Sequence, residues 1–317
     1  MITVTKDMYS FMRDDAPLYI FGAGKTGYWC GYYMNEMGIA FDAYVDKIGG
    51  ATAKGCILND HPILDRTILY DIDRDIRVIV AASCYQDILS DLLLHDQERQ
   101  NRLMCYVPVY PRLIDPEIPQ YNANRMLAYF RKKLLKGKFP SIICNDCTGG
   151  MIYELFDENI STPFINTGFR TKDFFKLLGN LESYLQMDLN NVRTTWDVIA
   201  KIKGVEATLG DIKIVYGHDT DPQTVIRKWN ALKNKVELDN ILVVLTDRYG
   251  LHSFDELETF RKLPYKSLIL YEKKQGTVIR ADGQDAVYWE RPYIFDYTDA
   301  IENHFNVVDW MNSMIME

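Results

Sequence analysis

Three glycines spaced as Gly22-x-Gly24-x-x-Gly27 are the residues of this sequence whose pattern points most directly to chemistry. The first glycine of such a turn permits a tight bend, the second lets the backbone approach a pyrophosphate, and the third lets a helix pack closely on a strand. The helix that follows offers free N–H groups and partial positive charge to an anion. The predicted cofactor-binding residues are Gly22, Gly24, Lys25, Thr26, Gly27 and Asp46.

Asp46 belongs to this prediction because it lies 19 residues after Gly27, at the end of the next apolar run, where a carboxylate can accept hydrogen bonds from ribose hydroxyls. A Walker A loop is excluded, since that motif needs a glycine five residues before Gly24 and position 19 is Tyr19. A purely structural alternative stays open, in which the glycines serve only a tight strand-to-helix turn. The predicted ligand is a nucleotide or a nucleotide sugar, with NAD less favoured.

A second group of polar residues lies in the C-terminal half, where residues 145–150 and residues 246–248 each follow a short apolar run. Because parallel strands end at one edge of a sheet, both groups are expected at a single rim, where ligands of open α/β sheets bind. The predicted catalytic residues are Asn145, Cys147, Asp247 and Arg248. The alternative is that Thr246 and Asp247 cap the next helix while Arg248 pairs with a surface acid.

Cys144-x-x-Cys147 has the spacing of a redox pair, and a cysteine at a helix N-terminus ionises readily. However, Cys144 is predicted to end an apolar strand, so we expect it to be buried, and Cys147 to be either buried or used as a nucleophile. His218 precedes Asp219 and Asp221, which would suit a general base or a metal ligand. No second histidine lies at ligand spacing, so no metal site is predicted, and the acids are expected to start the next helix.

The elements that must position these residues alternate along the N-terminal half. Continuous apolar runs, typical of strands covered on both faces, alternate with segments of helical length. The predicted strands are 17–21, 41–45, 77–82 and 104–107, and the predicted helices are 28–37 and 87–94. Residues 47–62 are predicted to form a loop. This alternation predicts a Rossmann-like α/β domain with a parallel sheet and right-handed crossovers.

Four prolines between residues 108 and 119 predict a linker, because proline removes a backbone donor and favours extended neighbours. The predicted domains are therefore 1–115 and 120–317, with a basic helix at 124–136 leading into the second half. That half is again predicted to be α/β, with a parallel or mixed sheet. Its predicted strands are 141–144, 164–166, 211–216, 241–245 and 267–271, and its predicted helices are 151–156, 172–185, 222–235, 256–261 and one within 298–314.

The N-terminal half resembles the small Rossmann modules of bacterial sugar-modifying and polysaccharide enzymes, including the nucleotide-sugar-binding halves of sugar acyltransferases. The resembling segments are YIFGAGKTG at 19–27, AYVD at 43–46, Gly55, His61 with Pro62, and VIVAAS at 78–83. The resemblance implies recognition of a nucleotide or a nucleotide sugar. Residues 16–107 are short for a full dinucleotide fold, which disfavours a working dehydrogenase.

The C-terminal half resembles an uncharacterised bacterial family, a domain of unknown function linked with exopolysaccharide biosynthesis. The resembling segments are SIICNDCTGGMIY at 141–153, TPFIN at 162–166, RKWN at 227–230, ILVVLTDR at 241–248 and LPYK at 263–266. The resemblance implies an α/β fold and a role in surface-polysaccharide assembly. It implies no particular catalytic residue.

Composition excludes several classes of protein. A net charge of −8, from 36 Lys and Arg against 44 Asp and Glu, argues against general nucleic-acid binding, which needs a positive field. No run approaches the roughly 18 apolar residues of a membrane span. The N-terminal segment mixes charged and apolar residues unlike a signal peptide, so a cytoplasmic protein is expected. A homo-oligomer stays open.

Three functions follow as hypotheses. The first is a transferase that uses a nucleotide-activated sugar in capsule or exopolysaccharide assembly. The second is a non-catalytic module that senses a nucleotide and docks an assembly enzyme. The third is an NAD-dependent oxidoreductase.

Overall fold

The computed structural model describes residues 2–5, 7–47, 56–82, 84–95, 101–107, 125–197, 202–246, 254–272, 286–289 and 306–315. The chain divides into two compact units, one of Met1–Leu134 with Leu155–Asp157 and the other of Leu135–Glu154 with Glu158–Glu317. The predicted boundary at residues 115–120 lies outside the described residues. The basic helix Arg125–Leu134 belongs to the first unit.

The first unit is built on one seven-stranded sheet with helices. Its strands are β1 (Ile2–Thr5), β2 (Leu18–Phe21), β3 (Ala43–Asp46), β4 (Ile57–Leu58), β5 (His61–Asp65), β6 (Ile76–Val80) and β7 (Leu103–Tyr106). Its helices are α1 (Met8–Arg13), α2 (Lys25–Glu36), α3 (Ile68–Asp71), α4 (Tyr85–Leu94) and α5 (Arg125–Leu134). The spatial strand order is β1-β7-β6-β2-β3-β5-β4.

The sheet is parallel except where β4 pairs with β5. The prediction of an α/β chain with a parallel-rich sheet is confirmed. Strands β2 and β6 are buried along their whole length, as expected of strands covered on both faces. From β2 the chain builds outward through β3 and β5 on one side, and it then returns to build β6 and β7 on the other.

Some elements of this unit were not predicted. The loop predicted at 47–62 is partly wrong, because β4 and the start of β5 lie within it. These two strands form a short antiparallel pair whose residues are exposed or half-buried. Because neither strand is fully buried, neither has the continuous apolar run from which the other strands were predicted. The N-terminal β1 and α1 were also missed. Arg77 anchors α1, since its guanidinium donates hydrogen bonds to the carbonyls of Phe11 and Ala16.

The second unit contains two separate four-stranded sheets. Its strands are β8 (Ser141–Cys144), β9 (Thr167–Gly168), β10 (Asn190–Asp197), β11 (Ile202–Leu209), β12 (Ile212–Tyr216), β13 (Ile241–Thr246), β14 (Lys266–Glu272) and β15 (Ala286–Trp289). One sheet, ordered β15-β14-β13-β8, is entirely parallel. The other, ordered β10-β11-β12-β9, is entirely antiparallel.

The helices of this unit are α6 (Thr148–Leu155), α7 (Thr171–Gly179), α8 (Leu181–Leu185), α9 (Pro222–Leu232), α10 (Phe254–Arg261) and α11 (Val307–Ile315). One hydrophobic core joins both sheets and includes Ile143 and Val243 of the parallel sheet with Ile214 and Trp229. The single helix predicted at 172–185 is two helices, because Asn180 leaves the helical region with φ −149° and ψ 43°. Strand β9 lies at 167–168 rather than at the predicted 164–166.

Candidate functional site

The glycine-rich turn joins β2 to α2, as predicted. Gly22 has a φ of +111°, a conformation that L-residues rarely adopt, and its N–H donates to the carbonyl of Val45 at 2.8 Å. A Cβ at Gly27 would lie 1.8 Å from the carbonyl oxygen of Gly22, so only glycine lets the first turn of α2 sit this close to β2. The first and third glycines therefore have a structural requirement.

Gly24 is different, because no atom of the residues that the structure describes lies within 4 Å of the position where its Cβ would be. It is the exposed N-cap of α2, and no described side chain caps this end of the helix. The first turn of α2 contains no acidic residue, while Lys25 and Thr26 begin the helix and are half-buried. The middle glycine thus opens the N-terminus of the helix to an approaching ligand.

The carboxylate of Asp46 holds this turn. Its Oδ2 accepts a hydrogen bond from the backbone N–H of Ala23 at 2.8 Å, which joins the end of β3 to the turn after β2. A carboxylate has two oxygens and about four lone-pair sites, so it can accept several hydrogen bonds at once. Asp46 therefore has a positioning role that the sequence pattern did not indicate.

At the sheet edge of the second unit, Asn145 is fully buried and joins two strands. Its Nδ2 donates to the carbonyl of Thr246 at 2.8 Å, and its Oδ1 accepts from the N–H of Thr246, also at 2.8 Å. These contacts confirm that the ends of β8 and β13 meet at one edge, since the two strands are parallel neighbours. They also describe a positioning residue, because the side-chain amide bonds only backbone.

Asp146 is likewise fully buried and organises the turn into α6. Its carboxylate accepts hydrogen bonds from the N–H of Thr148 (2.9 Å), the hydroxyl of Thr246 (2.9 Å) and the thiol of Cys144 (3.0 Å). Burial raises the pKa of the Cys144 thiol well above its ordinary value, and the neighbouring Asp146 raises it further. Cys144 is thus a buried donor of this network, as its place at the end of a strand predicted.

Cys147 lies at the start of α6 and is half-buried. Its carbonyl accepts from the N–H groups of Gly150 (3.0 Å) and Met151 (3.4 Å), which makes it the N-cap residue. Its Sγ lies 3.2 Å from Nε2 of His218, which is exposed. The structure therefore brings together a thiol and an imidazole that are 71 residues apart.

The antiparallel sheet explains this meeting. After α6 the chain enters β9, where the N–H of Phe169 donates to the carbonyl of Asn145 at 3.1 Å and ties β9 to the end of β8. Strand β12 pairs with β9, and the N–H of Gly217 donates to the carbonyl of Asn166 at 3.2 Å. His218 follows directly and so reaches the end of β8.

The remaining acids near His218 belong to α9. Asp219 pairs with Lys228, and Asp221 is the N-cap of α9, accepting from the N–H groups of Gln223 and Thr224. Among the described residues no group of three His, Cys, Asp or Glu side chains is placed to hold a metal ion. Asp247 and Arg248, predicted to act with Asn145 and Cys147, lie outside the described residues.

In the sequence, the acids near His218 indicated a general base or a metal ligand, but no pattern connected His218 with Cys147. A signal was present, since both residues come just after a strand, which is where functional side chains collect. The pairing of β9 with β12, which brings His218 to Cys147, could not be predicted from these local patterns.

Three buried hydroxyls that are near this pair in sequence or in strand pairing have no hydrogen-bond partner within the part of the chain that the structure describes. Thr148 follows Cys147, Tyr216 lies two residues before His218, and Thr167 is the cross-strand partner of Tyr216. An unpaired buried polar group costs about 1–3 kcal/mol, so such groups generally call for an explanation such as a bound water or ligand.

Together these features define an α/β protein with polar residues at the carboxyl edges of two parallel sheets. Residues 119–312 match the family described as domain of unknown function (DUF1919), and this match covers more than half of the chain. The chain belongs to that family. It is also similar to an uncharacterized protein of Haemophilus influenzae (strain ATCC 51907 / DSM 11121 / KW20 / Rd), at 26% identity over 155 residues, which are 48% of this chain and 72% of that protein.

Within the described residues, no helix has the length and apolar character needed to cross a membrane.

Proposed function

We propose that the first unit is a Rossmann-like domain that binds a nucleotide or a nucleotide sugar, and that the protein is a transferase of surface-polysaccharide assembly. The observation that carries the binding proposal is the open N-terminus of α2 at Gly24, where, among the described residues, no side chain caps the helix and no atom lies within 4 Å of a Cβ built on Gly24. Anions bind at such helix ends because the N–H groups and the helix dipole both favour negative charge.

The strand order supports this location. In the sequence β5-β3-β2-β6-β7 the chain changes direction between β2 and β6, so the turn after β2 lies at the reversal point of the sheet. Ligands of open α/β sheets bind at the carboxyl ends of strands at such a point. A Cβ built on Gly22, just after β2, would lie 2.9 Å from the carbonyl oxygen of Ala81, just after β6, so the ends of these two strands are close together, which supports this location.

Within this proposal the predicted residues have distinct roles. The N–H groups at Lys25 and Thr26 face the phosphates, Gly24 leaves room for them, and Asp46 accepts from a ribose hydroxyl while it holds Ala23. The nucleotide sugar as donor and the polysaccharide as product rest on the resemblances of the two halves of the sequence. A reducing cytoplasm fits six cysteines that are all free thiols.

A pair of variants at one position tests the binding site. Gly24→Ala adds only a methyl group and should keep the fold while weakening binding, whereas Gly24→Asp also places a negative charge in the path of the phosphate. We expect nucleotide sugars to raise the melting temperature of the wild type, to raise that of Gly24→Ala less, and not to raise that of Gly24→Asp. Equal shifts in both variants, or no shift with any nucleotide or nucleotide sugar, would overturn the proposed site.

Turnover distinguishes a transferase from a sensing module. The protein is incubated with nucleotide sugars and sugar acceptors, and the products are analysed by mass spectrometry. A transferase should release the nucleoside diphosphate of the donor and attach the sugar to the acceptor. Ligand-dependent stabilisation without any turnover would instead favour the non-catalytic nucleotide-sensing module.

A further inference from the structure

We propose that Cys147 and His218 form a nucleophile–base pair that accepts an acyl group from an ester or thioester and passes it to a hydroxyl. This activity goes beyond the nucleotide site, because both residues belong to the second unit and the glycine-rich turn to the first. It does not depend on nucleotide binding, so each proposal can fail without the other.

The geometry is that of an activated thiol. The 3.2 Å between Sγ of Cys147 and Nε2 of His218 is within reach of proton transfer from the thiol to the imidazole. The thiol is also at the N-terminus of the eight-residue α6, where oriented N–H groups favour a thiolate. The imidazole is exposed and the thiol half-buried, so a substrate in solution can reach both.

The surrounding contacts hold the thiol in place. Asp146, which precedes Cys147, accepts hydrogen bonds from the N–H of Thr148 and from the hydroxyl of Thr246 at the end of β13. The side chain of Asn145 exchanges two further hydrogen bonds with the backbone of Thr246. Gly217, the residue before His218, donates its N–H to the carbonyl of Asn166. Both members of the pair therefore sit next to residues fixed by backbone hydrogen bonds, which is the arrangement that keeps reacting groups aligned.

Two buried hydroxyls without a hydrogen-bond partner among the described residues are close to the pair along the chain. Thr148 and Tyr216 are buried and lack partners among the described residues, and they lie on the same two segments that carry Cys147 and His218. The tetrahedral oxyanion of an acyl transfer needs hydrogen-bond donors, and a hydroxyl is one of the groups that supply them.

Acyl chemistry fits this pair better than disulfide chemistry does. A redox pair would need the second thiol of Cys144-x-x-Cys147, and that thiol is fully buried and donates to Asp146. An acyl carbon, by contrast, requires only one thiol and one base, since a thioester forms and is then cleaved at the same sulfur.

The reaction balances in two steps. His218 takes the proton of the Cys147 thiol, the sulfur bonds to the acyl carbonyl carbon, and the bond from that carbon to the leaving oxygen or sulfur breaks. The leaving group receives the proton from His218. In the second step His218 removes a proton from an acceptor hydroxyl, whose oxygen bonds to the carbonyl carbon. The C–S bond then breaks, and His218 gives its proton to the sulfur, which restores the thiol and the neutral imidazole.

The first experiment compares thiols within one molecule. Limiting iodoacetamide at about pH 6, well below the ordinary thiol pKa of about 8.5, should alkylate Cys147 faster than the exposed Cys56 and Cys84, as read by peptide mass spectrometry. In His218→Gln that advantage should vanish. The proposed nucleophile–base pair would be refuted if Cys147 reacted no faster than Cys56 and Cys84, or if its rate were the same in the wild type and in His218→Gln.

The second experiment tests the acyl step on the full chain with p-nitrophenyl acetate as the ester probe and S-phenyl thioacetate as the thioester probe. We expect an acetyl group on Cys147 in peptide maps and a release rate lowered about a hundredfold or more by His218→Gln, in line with the usual contribution of a general base. Cys147→Ser should lose the acetyl-thiol adduct, while Cys84→Ser should match the wild type. Acetylation spread evenly over the exposed cysteines, or release unchanged in His218→Gln, would refute the activity.

The two probes separate the donors. Faster acetylation by the thioester assigns a thioester donor, and faster acetylation by the ester assigns an ester donor. Circular dichroism of each variant shows whether it is folded. If Cys147→Ser is unfolded, His218→Gln, which keeps the thiol, decides the proposal alone.

Discussion

The side chain of Asn145 continues the hydrogen-bond ladder between β8 and β13 by exchanging two bonds with the backbone of Thr246. Its amide donates to the carbonyl and accepts from the N–H, each at 2.8 Å. A side chain thus replaces a strand residue at the point where β8 turns away into α6. The turn that carries Cys147 begins from this fixed position.

Asn145→Ala should therefore destabilise the fold. The substitution removes both hydrogen bonds that the Asn145 side chain makes to the buried backbone of Thr246, and the loss of a buried hydrogen bond costs about 1–3 kcal/mol. We expect the free energy of unfolding to fall by roughly 3 kcal/mol in urea denaturation followed by circular dichroism. The exposed Asn190→Ala is the control and should change it by less than about 0.5 kcal/mol. Equal stability of wild type and Asn145→Ala would contradict the proposed role of this amide.

Cys144 should remain a protonated, unreactive thiol in the folded protein. Burial, with the nearby Asp146, raises its pKa well above 9.0, so its folded form keeps the proton at a pH where the unfolded chain has lost it. This contribution to stability is fully present below about pH 8 and is lost as the pH rises above the unfolded thiol pKa, by up to about 1.4 kcal/mol per pH unit.

Two measurements check this. A thiol reagent at pH 8 should label Cys56 and Cys84 in the native protein but label Cys144 only after unfolding. Unfolding free energies between pH 8 and 10 should decline less steeply in Cys144→Ser than in the wild type. Rapid native labelling of Cys144 would show that the thiol is not held as described.

Local patterns were sufficient for the elements that are buried on both faces. The continuous apolar runs of β2, β6 and β13 were predicted because burial demands them. The two polar groups that follow β8 and β13 were predicted to lie at one edge of the sheet, because parallel strands share a carboxyl edge, but the pairing of these two strands with each other was not predicted. The glycine pattern predicted the turn correctly because two of its positions require glycine. Gly22 has a φ of +111°, and a Cβ at Gly27 would lie 1.8 Å from the carbonyl oxygen of Gly22.

Strands whose residues alternate between buried and more exposed were missed. In the hairpin of β10 and β11, Val205, Ala207 and Leu209 are buried and alternate with more exposed residues, and Trp196 is 61% exposed, so neither strand carries a continuous apolar run. Strand β9 has only two residues. The contact of His218 with Cys147 depends on the pairing of β9 with β12, a tertiary relationship that no local spacing encodes.

The glycines of the first unit should differ in their tolerance of alanine. At Gly27 a methyl group would collide with the backbone oxygen of Gly22, which cannot move without distorting the turn, whereas at Gly24 it meets nothing. We expect Gly27→Ala to lower the midpoint of thermal unfolding by several degrees or to prevent folding, and Gly24→Ala to leave it within about two degrees of the wild type. Indistinguishable midpoints would contradict the close packing of α2 on β2.

Two buried tyrosines of the second unit should respond to the same substitution with opposite signs. The hydroxyl of Tyr153 lies 2.8 Å from Oγ of Ser161 and accepts from the N–H of Ile142 at 3.3 Å, whereas the hydroxyl of Tyr216 has no partner among the described residues. Removing a bonded hydroxyl leaves its partners unsatisfied, but removing an unbonded one ends a desolvation penalty. In the ligand-free protein Tyr153→Phe should therefore lower the unfolding free energy by about 1 kcal/mol and Tyr216→Phe should raise it by a similar amount, as measured by urea denaturation. If Tyr216→Phe destabilises as much as Tyr153→Phe, the Tyr216 hydroxyl is bonded in solution, and it no longer counts as a donor that awaits a ligand.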